Sequence, residues 1–271
     1  MKRKIFMAVI YTTAVSLIFV SGCKKVLVYI VARPGGIAKD CRIERITSNF
    51  SFECDDPVEL LDTAWFSYNR YDNPVSIKYA VSPEISACFV YPPDQAFKYD
   101  HKNRLAVYLQ GAVPSADEPS GALLWHKYTY VNTNLIIDSA FEYAQGDLKT
   151  SNRPTFFEEA GTTVTTFELD QFGRVLKEVG GPHNVNITYT YDGHGNLVKP
   201  GVTYTGKINM RQTNGVWMFL DRDYSVNFPV GAASAYNASG LPVKLNETPY
   251  FIYWFSGGFS DMVVSYHCKK Y

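Results

Sequence analysis

Phe167-Glu168-Leu169-Asp170-Gln171-Phe172-Gly173-Arg174-Val175 and Tyr189-Thr190-Tyr191-Asp192-Gly193-His194-Gly195-Asn196-Leu197 decide the fold. The two stretches lie 22 residues apart and share one pattern: aromatic, any residue, apolar, Asp, two spacers, Gly, polar, apolar. Alternating apolar residues ahead of the Asp make a strand with one buried face. The Asp side chain bonds backbone two residues on, and the Gly accepts the positive φ at which the chain reverses. A return strand begins at Val175 or Leu197, so each copy is the tip of a β-hairpin.

Working outward, Phe97–Leu105 carries the pattern around Tyr99-Asp100, Phe66–Val75 around Tyr68-Asn69, and Tyr236–Val243 around Asn237 and Gly240. Trp125–Ile137, with Tyr128-Thr129-Tyr130, is a degenerate copy. The pattern departs at Leu169, which replaces the second aromatic, at Asp72 and Asn103, which replace Gly, and at Ser234, which takes the first aromatic place. Asp100, Asp170, Gly173, Asp192, Gly195 and Gly240 are thus read as turn-building residues. One hairpin cannot bury an aromatic face alone, so neighbouring copies must stack into a continuous sheet. The expected fold class is all-β, a curved antiparallel β-meander of stacked hairpins with little helix. Phe167, Leu169, Val175, Tyr189, Tyr191 and Leu197 should share one apolar stripe, with Glu168 and Thr190 on the other face. Short helical turns are expected at 57–64 and 139–145, and 41–54 and 250–255 are expected to cap the sheet ends.

Composition narrows the function classes. With 46% hydrophobic and 19% charged residues in 271, the chain can bury a core, which excludes intrinsic disorder and a long coiled coil. Its 26 basic and 26 acidic side chains leave no basic footprint, so no nucleic-acid partner is expected.

The repeated units resemble YD repeats, the tyrosine-aspartate repeats of Rhs-type bacterial surface proteins, and most of all those of Bacteroidetes YD-repeat lipoproteins. The resemblance covers roughly residues 41–250 and is sharpest at Tyr191-Asp192-Gly193-His194-Gly195-Asn196-Leu197. Length for a closed cocoon and a toxin segment are both missing, so toxin encapsulation is not implied. Lys2, Arg3 and Lys4 precede an uncharged apolar run, Ile5–Val20, too short for a comfortable membrane span, and Val20-Ser21-Gly22-Cys23 resembles the lipobox of bacterial lipoproteins. That resemblance implies cleavage before Cys23 and lipidation of its sulfur, with two or three acyl chains anchoring the protein. The domains would be a signal peptide at 1–22, a lipidated tether at 23–40 and a single repeat domain at 41–271. Residues 1–22 hold no acidic residue, which leaves 23 basic side chains against 26 acidic in the mature chain, too weak a field to steer a partner. Lys24 and Lys25 in place of Asp imply the outer membrane. The lack of acidic residues after Cys23 favours a periplasm-facing position over the cell surface.

Four further cysteines, Cys41, Cys54, Cys88 and Cys268, allow three disulfide connectivities in an exported protein, or four free thiols. Cys41–Cys54, closing a hairpin, with Cys88–Cys268 is the preferred pairing. The histidines at 101, 126, 183, 194 and 267 are scattered, and no zinc spacing, nucleophile elbow or phosphate loop is present, so no metal, cofactor or catalytic residue is assigned. Asp221-Arg222-Asp223 is read as a solvated strand end. Trp65, Trp125, Trp217 and Trp254 are candidates for stacking on sugar rings. The expectation is an envelope lipoprotein with a non-catalytic binding or structural role towards a glycan or envelope protein, using the second sheet face and insertions around 109–125 and 138–162. The alternative is an envelope hydrolase with its site in the inter-repeat insertions.

Overall fold

The computed structural model describes residues 38, 40–52, 58–80, 94–111, 123–141, 144–145, 155–156, 162–246 and 259–269. The alternation in the repeats produces β1 (Cys41–Phe52), β2 (Val58–Tyr68), β3 (Pro74–Ala80), β4 (Gln95–Tyr99), β5 (Leu105–Gly111), β6 (Leu123–Tyr130) and β7 (Leu135–Phe141). Next come the two-residue strands β8 (Ala144–Gln145) and β9 (Thr155–Phe156), then β10 (Thr162–Leu169), β11 (Val175–Gly180) and β12 (Val185–Thr188). The chain ends with β13 (Tyr204–Ile208), β14 (Asn227–Pro229), β15 (Ala233–Tyr236), β16 (Pro242–Leu245) and β17 (Phe259–Cys268). Thirteen strands form one open sheet in the order β12-β11-β10-β7-β6-β5-β4-β3-β2-β1-β17-β16-β15, and β13–β14 and β8–β9 are separate pairs. Every pairing is antiparallel. The all-β meander is therefore the architecture.

One crossover breaks the meander. From β12 at one sheet edge the chain passes to β15 at the other through β13, a 3-10 turn (Met210–Thr213), the helix α1 (Gly215–Asp221) and β14. Asn214 caps α1, its side-chain oxygen accepting from the Val216 N–H, and Arg222 ends it in the left-handed region. Val216, Trp217, Met218 and Phe219 are all buried, the mark of a helix enclosed on every side. Trp217 meets Phe66 and Phe97 edge-on at 5.7 and 5.6 Å, and Phe219 meets Tyr128 and Phe167 at 5.1 and 5.5 Å. The main core thus lies between one sheet face and the crossover segment, and a smaller cluster of Ala38, Cys41 and Leu241 lies apart from it. The expected stripe is in place: Phe167, Val175 and Leu197 are buried, Leu169, Tyr189 and Tyr191 half-buried, and Glu168 and Thr190 exposed.

Five local expectations are corrected. Residues 58–64 belong to β2, 139–141 to β7 and 144–145 to β8, because partner strands on the sheet outweigh local propensity. Residues 41–52 are not a hairpin but one strand. A register shift between Ile43 and Arg45 turns both Ile43 and Ile46 inward, which hides the two-residue period. Cys41, opposite Cys268 in the β1–β17 register, is disulfide-bonded to it. Cys268 thus takes the partner place that the preferred pairing gives to Cys54, which lies outside the described residues. Asp221-Arg222-Asp223 is not solvated, since Arg211 holds Asp221 at 2.5 Å with both side chains 3% exposed, and Lys199 holds the buried Asp223 at 3.0 Å. Burial opposes the Asp223 charge most strongly, yet Arg211 and Lys199 together keep its carboxyl below the usual range. The first insertion is also shorter at both ends than expected, since β5 runs to Gly111 and β6 starts at Leu123, and the second begins later, since β7 runs to Phe141.

Candidate functional site

Five tips share one geometry. At Asp170 the backbone N–H donates to Arg174 O at 2.9 Å, Gly173 N–H donates to Asp170 O at 3.0 Å, and Oδ1 accepts from Phe172 N and Arg174 N at 2.8 and 2.9 Å. The same four bonds form around Asn69, Asp100, Asp192 and Asn237. The fourth residue takes positive φ whether it is glycine (Gly173, Gly195 and Gly240) or not (Asp72 and Asn103, both 60°). These are type I turns closed by a bulge, and the ladder shifts register before the tip. Asp100, Asp170, Gly173, Asp192, Gly195 and Gly240 are all in turn-building places. Burial works against the Asp100 and Asp192 charges, but the hydrogen bonds they accept outweigh it and hold both carboxyls below the usual range. The Val131–Leu135 turn keeps the closing bond, from Val131 N to Leu135 O, but puts Val where the others have Asp or Asn.

The repeat tyrosines fasten one tip to the next. Tyr99 donates its hydroxyl to Pro74 O at 2.6 Å, Tyr130 to Leu105 O at 3.0 Å and Tyr191 to Val175 O at 3.4 Å, each the first residue after the preceding tip. Arg104 and Arg174, bound to Asp100 and Asp170, lie 4.0 Å from the centroids of Tyr130 and Tyr191. Burial pushes the Tyr130 phenol up to about 12 against the pull of Arg104, so it remains a donor at neutral pH. Leu169 has no hydroxyl to offer, and its backbone N–H bonds Asn134 O instead.

Along this row of tips runs an open groove of about 620 Å³, between the turns and the start of α1. Tyr99 and Tyr130 line it with Asn73, Asn103 and Asn214, and two acids, Asp40 and Asp72, stand with two bases, Arg104 and Lys269. Tyr71, also in the lining, is 56% exposed, and Asn103 is exposed at its tip. Lys269 and Arg42 bridge Asp72 at 2.6 and 3.3 Å, and the Lys269 bond holds the Asp72 carboxyl below the usual range. The sequence pattern assigns these tip residues to turns and gives no sign that their outward atoms line a shared groove.

The tryptophans divide. Trp217, fully buried on α1, is a core residue and cannot stack on a ligand. Trp65 is 47% exposed on the face opposite the core, with Arg45 5.3 Å from its ring. Trp125 is half-buried, and its Nε1 is buried without a hydrogen-bond partner. Trp254, Cys54, Cys88, Cys23, where lipidation is expected, and 250–255, expected to cap the sheet, lie outside the described residues. Among the described residues, no helix is long and apolar enough to cross a membrane, and no group of three or more His, Cys, Asp and Glu could hold a metal ion.

Fold and site together define an open antiparallel meander of hairpin repeats with a groove across its tips. No family model matches the chain, and a search of curated proteins returns no match.

Proposed function

We propose that this protein is a YD-repeat lipoprotein of the bacterial outer membrane, facing the periplasm on a Cys23 lipid, that binds a glycan or another envelope component along the tips of its repeats. The groove carries the proposal: its tyrosine rings and side-chain amides suit a ligand rich in hydroxyl or amide groups, and its two acids and two bases offer no net charge to a strongly ionic one. The repeated Asp and Tyr groups are engaged in turns and clasps, which supports a scaffold rather than a repeated catalytic carboxylate. Signal and lipobox residues support the location. Retention of the purified mature protein on immobilised envelope polysaccharides and on envelope extracts tests the proposal. Retention that is lost in Tyr71→Ala supports it, and retention that Tyr71→Ala leaves unchanged rejects the groove.

A further inference from the structure

The tips do not stand in a straight row. Trp217 and Phe219 are two residues apart on α1, so their side chains leave the helix about 200° from one another, on nearly opposite sides. Yet both meet the core-facing side of one sheet: Trp217 touches Phe66 of β2 and Phe97 of β4, and Phe219 touches Tyr128 of β6 and Phe167 of β10. In the strand order β2-β3-β4-β5-β6-β7-β10, six spacings separate the outermost of these strands, about 29 Å of flat sheet. A helix with its side chains is only about 10–12 Å across, so a flat sheet would meet one side of it. The sheet therefore curls round α1, and the tips at its end follow the same arc. The start of α1 lies at that end, since Asn214 Nδ2 donates to the Asp72 backbone oxygen of the β2–β3 tip at 2.9 Å.

This curvature turns the groove into a basin. Lys269, next after β17, lines it from one end of the arc, Leu169 and Gly173 from the other, and Thr213 and Asn214 lie ahead of α1 between them. In a flat sheet, eight strand spacings would put β17 and β10 about 38 Å apart. Here residues at the ends of both border one space of about 620 Å³. Pockets of that size hold a small-molecule ligand, about as large as a di- or trisaccharide. A stiff, extended polysaccharide cannot bend round α1 within the arc, whereas its end can enter from the open side. Tyr71 stands 56% exposed at the β2–β3 tip, and at Gly173 a Cβ would meet no atom within 4 Å.

We propose that the basin binds the terminal sugars of a neutral, amide-bearing glycan and not stretches within the chain, which rests on the tip groove being a glycan site. The Tyr71 ring offers a stacking surface to the end of the chain, and the exposed Asn103 amide pairs with its hydroxyl or acetamido groups. Selection for the end comes from the shape of the arc.

The test is calorimetric titration of the purified mature protein with chitin oligosaccharides, from N-acetylglucosamine to its hexamer. Affinity should rise by about tenfold or more from monomer to trimer and stay within about twofold from trimer to hexamer. Gly173→Asn keeps a residue tolerant of positive φ, as Asn103 is at the equivalent place, and puts a side chain into the far end of the arc. It should weaken trimer binding by about tenfold with Tm unchanged, and Tyr71→Ala should weaken it by a similar factor. The two tips are about 29 Å apart along the sheet, so one trimer senses both only where the sheet curls. If Gly173→Asn melts early, the oligomer series decides. Affinity that climbs with every sugar to the hexamer, or trimer binding that Tyr71→Ala weakens and Gly173→Asn leaves unchanged, overturns chain-end recognition and leaves the groove standing. Absence of trimer binding by wild type also overturns it, and polysaccharide retention that is lost in Tyr71→Ala then reports separately that the groove is a glycan site.

Discussion

Replacing the glycine at the fourth position of a tip should cost an amount set by the new residue's tolerance of positive φ and by nothing else. At Gly173, φ is +80°, and a Cβ there would meet no atom within 4 Å, so only backbone conformation is at stake. Asn103 holds the equivalent place at φ 60°. Gly173→Asn should therefore stay within about 0.5 kcal/mol of wild type. Gly173→Val, β-branched in the same conformation, should lose about 1–3 kcal/mol. Gly180 provides the steric contrast: at φ +101° its Cβ would sit 2.3 Å from the Val164 carbonyl oxygen, a backbone atom that cannot swing aside. Gly180→Ala combines left-handed strain of about 1–2 kcal/mol with overpacking of about 1–3. For a chain of this length each kcal/mol moves Tm by about 2–4 °C, so calorimetry should rank wild type and Gly173→Asn together, then Gly173→Val, then Gly180→Ala. Equal melting of Gly173→Val and Gly173→Asn would refute the turn geometry on which the repeat rests.

Other expectations follow from the same contacts. Fatty-acid labelling in cells should mark wild type and not Cys23→Ser, and equal labelling would remove the lipoprotein proposal. Cys268→Ser opens a link across 227 residues of sequence, and reduction of wild type should lower Tm to the same level. The chain-entropy estimate for that link is about 5 kcal/mol. Tyr130→Phe keeps the ring under Arg104 but leaves Leu105 O without its donor, so denaturant unfolding should show a loss of about 1 kcal/mol. Asp100 and Asp192 have lowered folded-state pKa values, so their stabilisation is present above the unfolded value of about 3.9 and is lost as pH falls through the folded one. Asp100→Asn retains the Oδ1 acceptor that serves at Asn69 and Asn237, and it should flatten the loss of stability below about pH 4.

The turns were legible because each needs residue types that few other structures need: an Asp or Asn whose oxygen satisfies two backbone donors, and a residue tolerant of positive φ three places on. Even the departures at Asp72 and Asn103 kept that chemistry. The helix was hidden because Val216-Trp217-Met218-Phe219-Leu220 is apolar on every side, and a short apolar run has the same periodicity as a buried strand. The Cys41–Cys268 bond was hidden because it depends on β17 returning beside β1, a long-range pairing with no local signal. The tip groove was hidden for a related reason, since it gathers residues from several strands.

A calorimetric titration of the purified mature protein with soluble fragments of the envelope polysaccharide that retains it tests groove binding most directly, with Tyr71→Ala and Asn103→Gly, which keeps a residue tolerant of positive φ at that place, as probes of two neighbouring tips. The expected result is saturable binding by wild type that each variant weakens by about tenfold or more, corresponding to roughly 1.4 kcal/mol, with Tm unchanged because neither side chain supports the core. Absence of binding by wild type, or binding that both variants leave intact, would contradict a recognition role for the repeat tips.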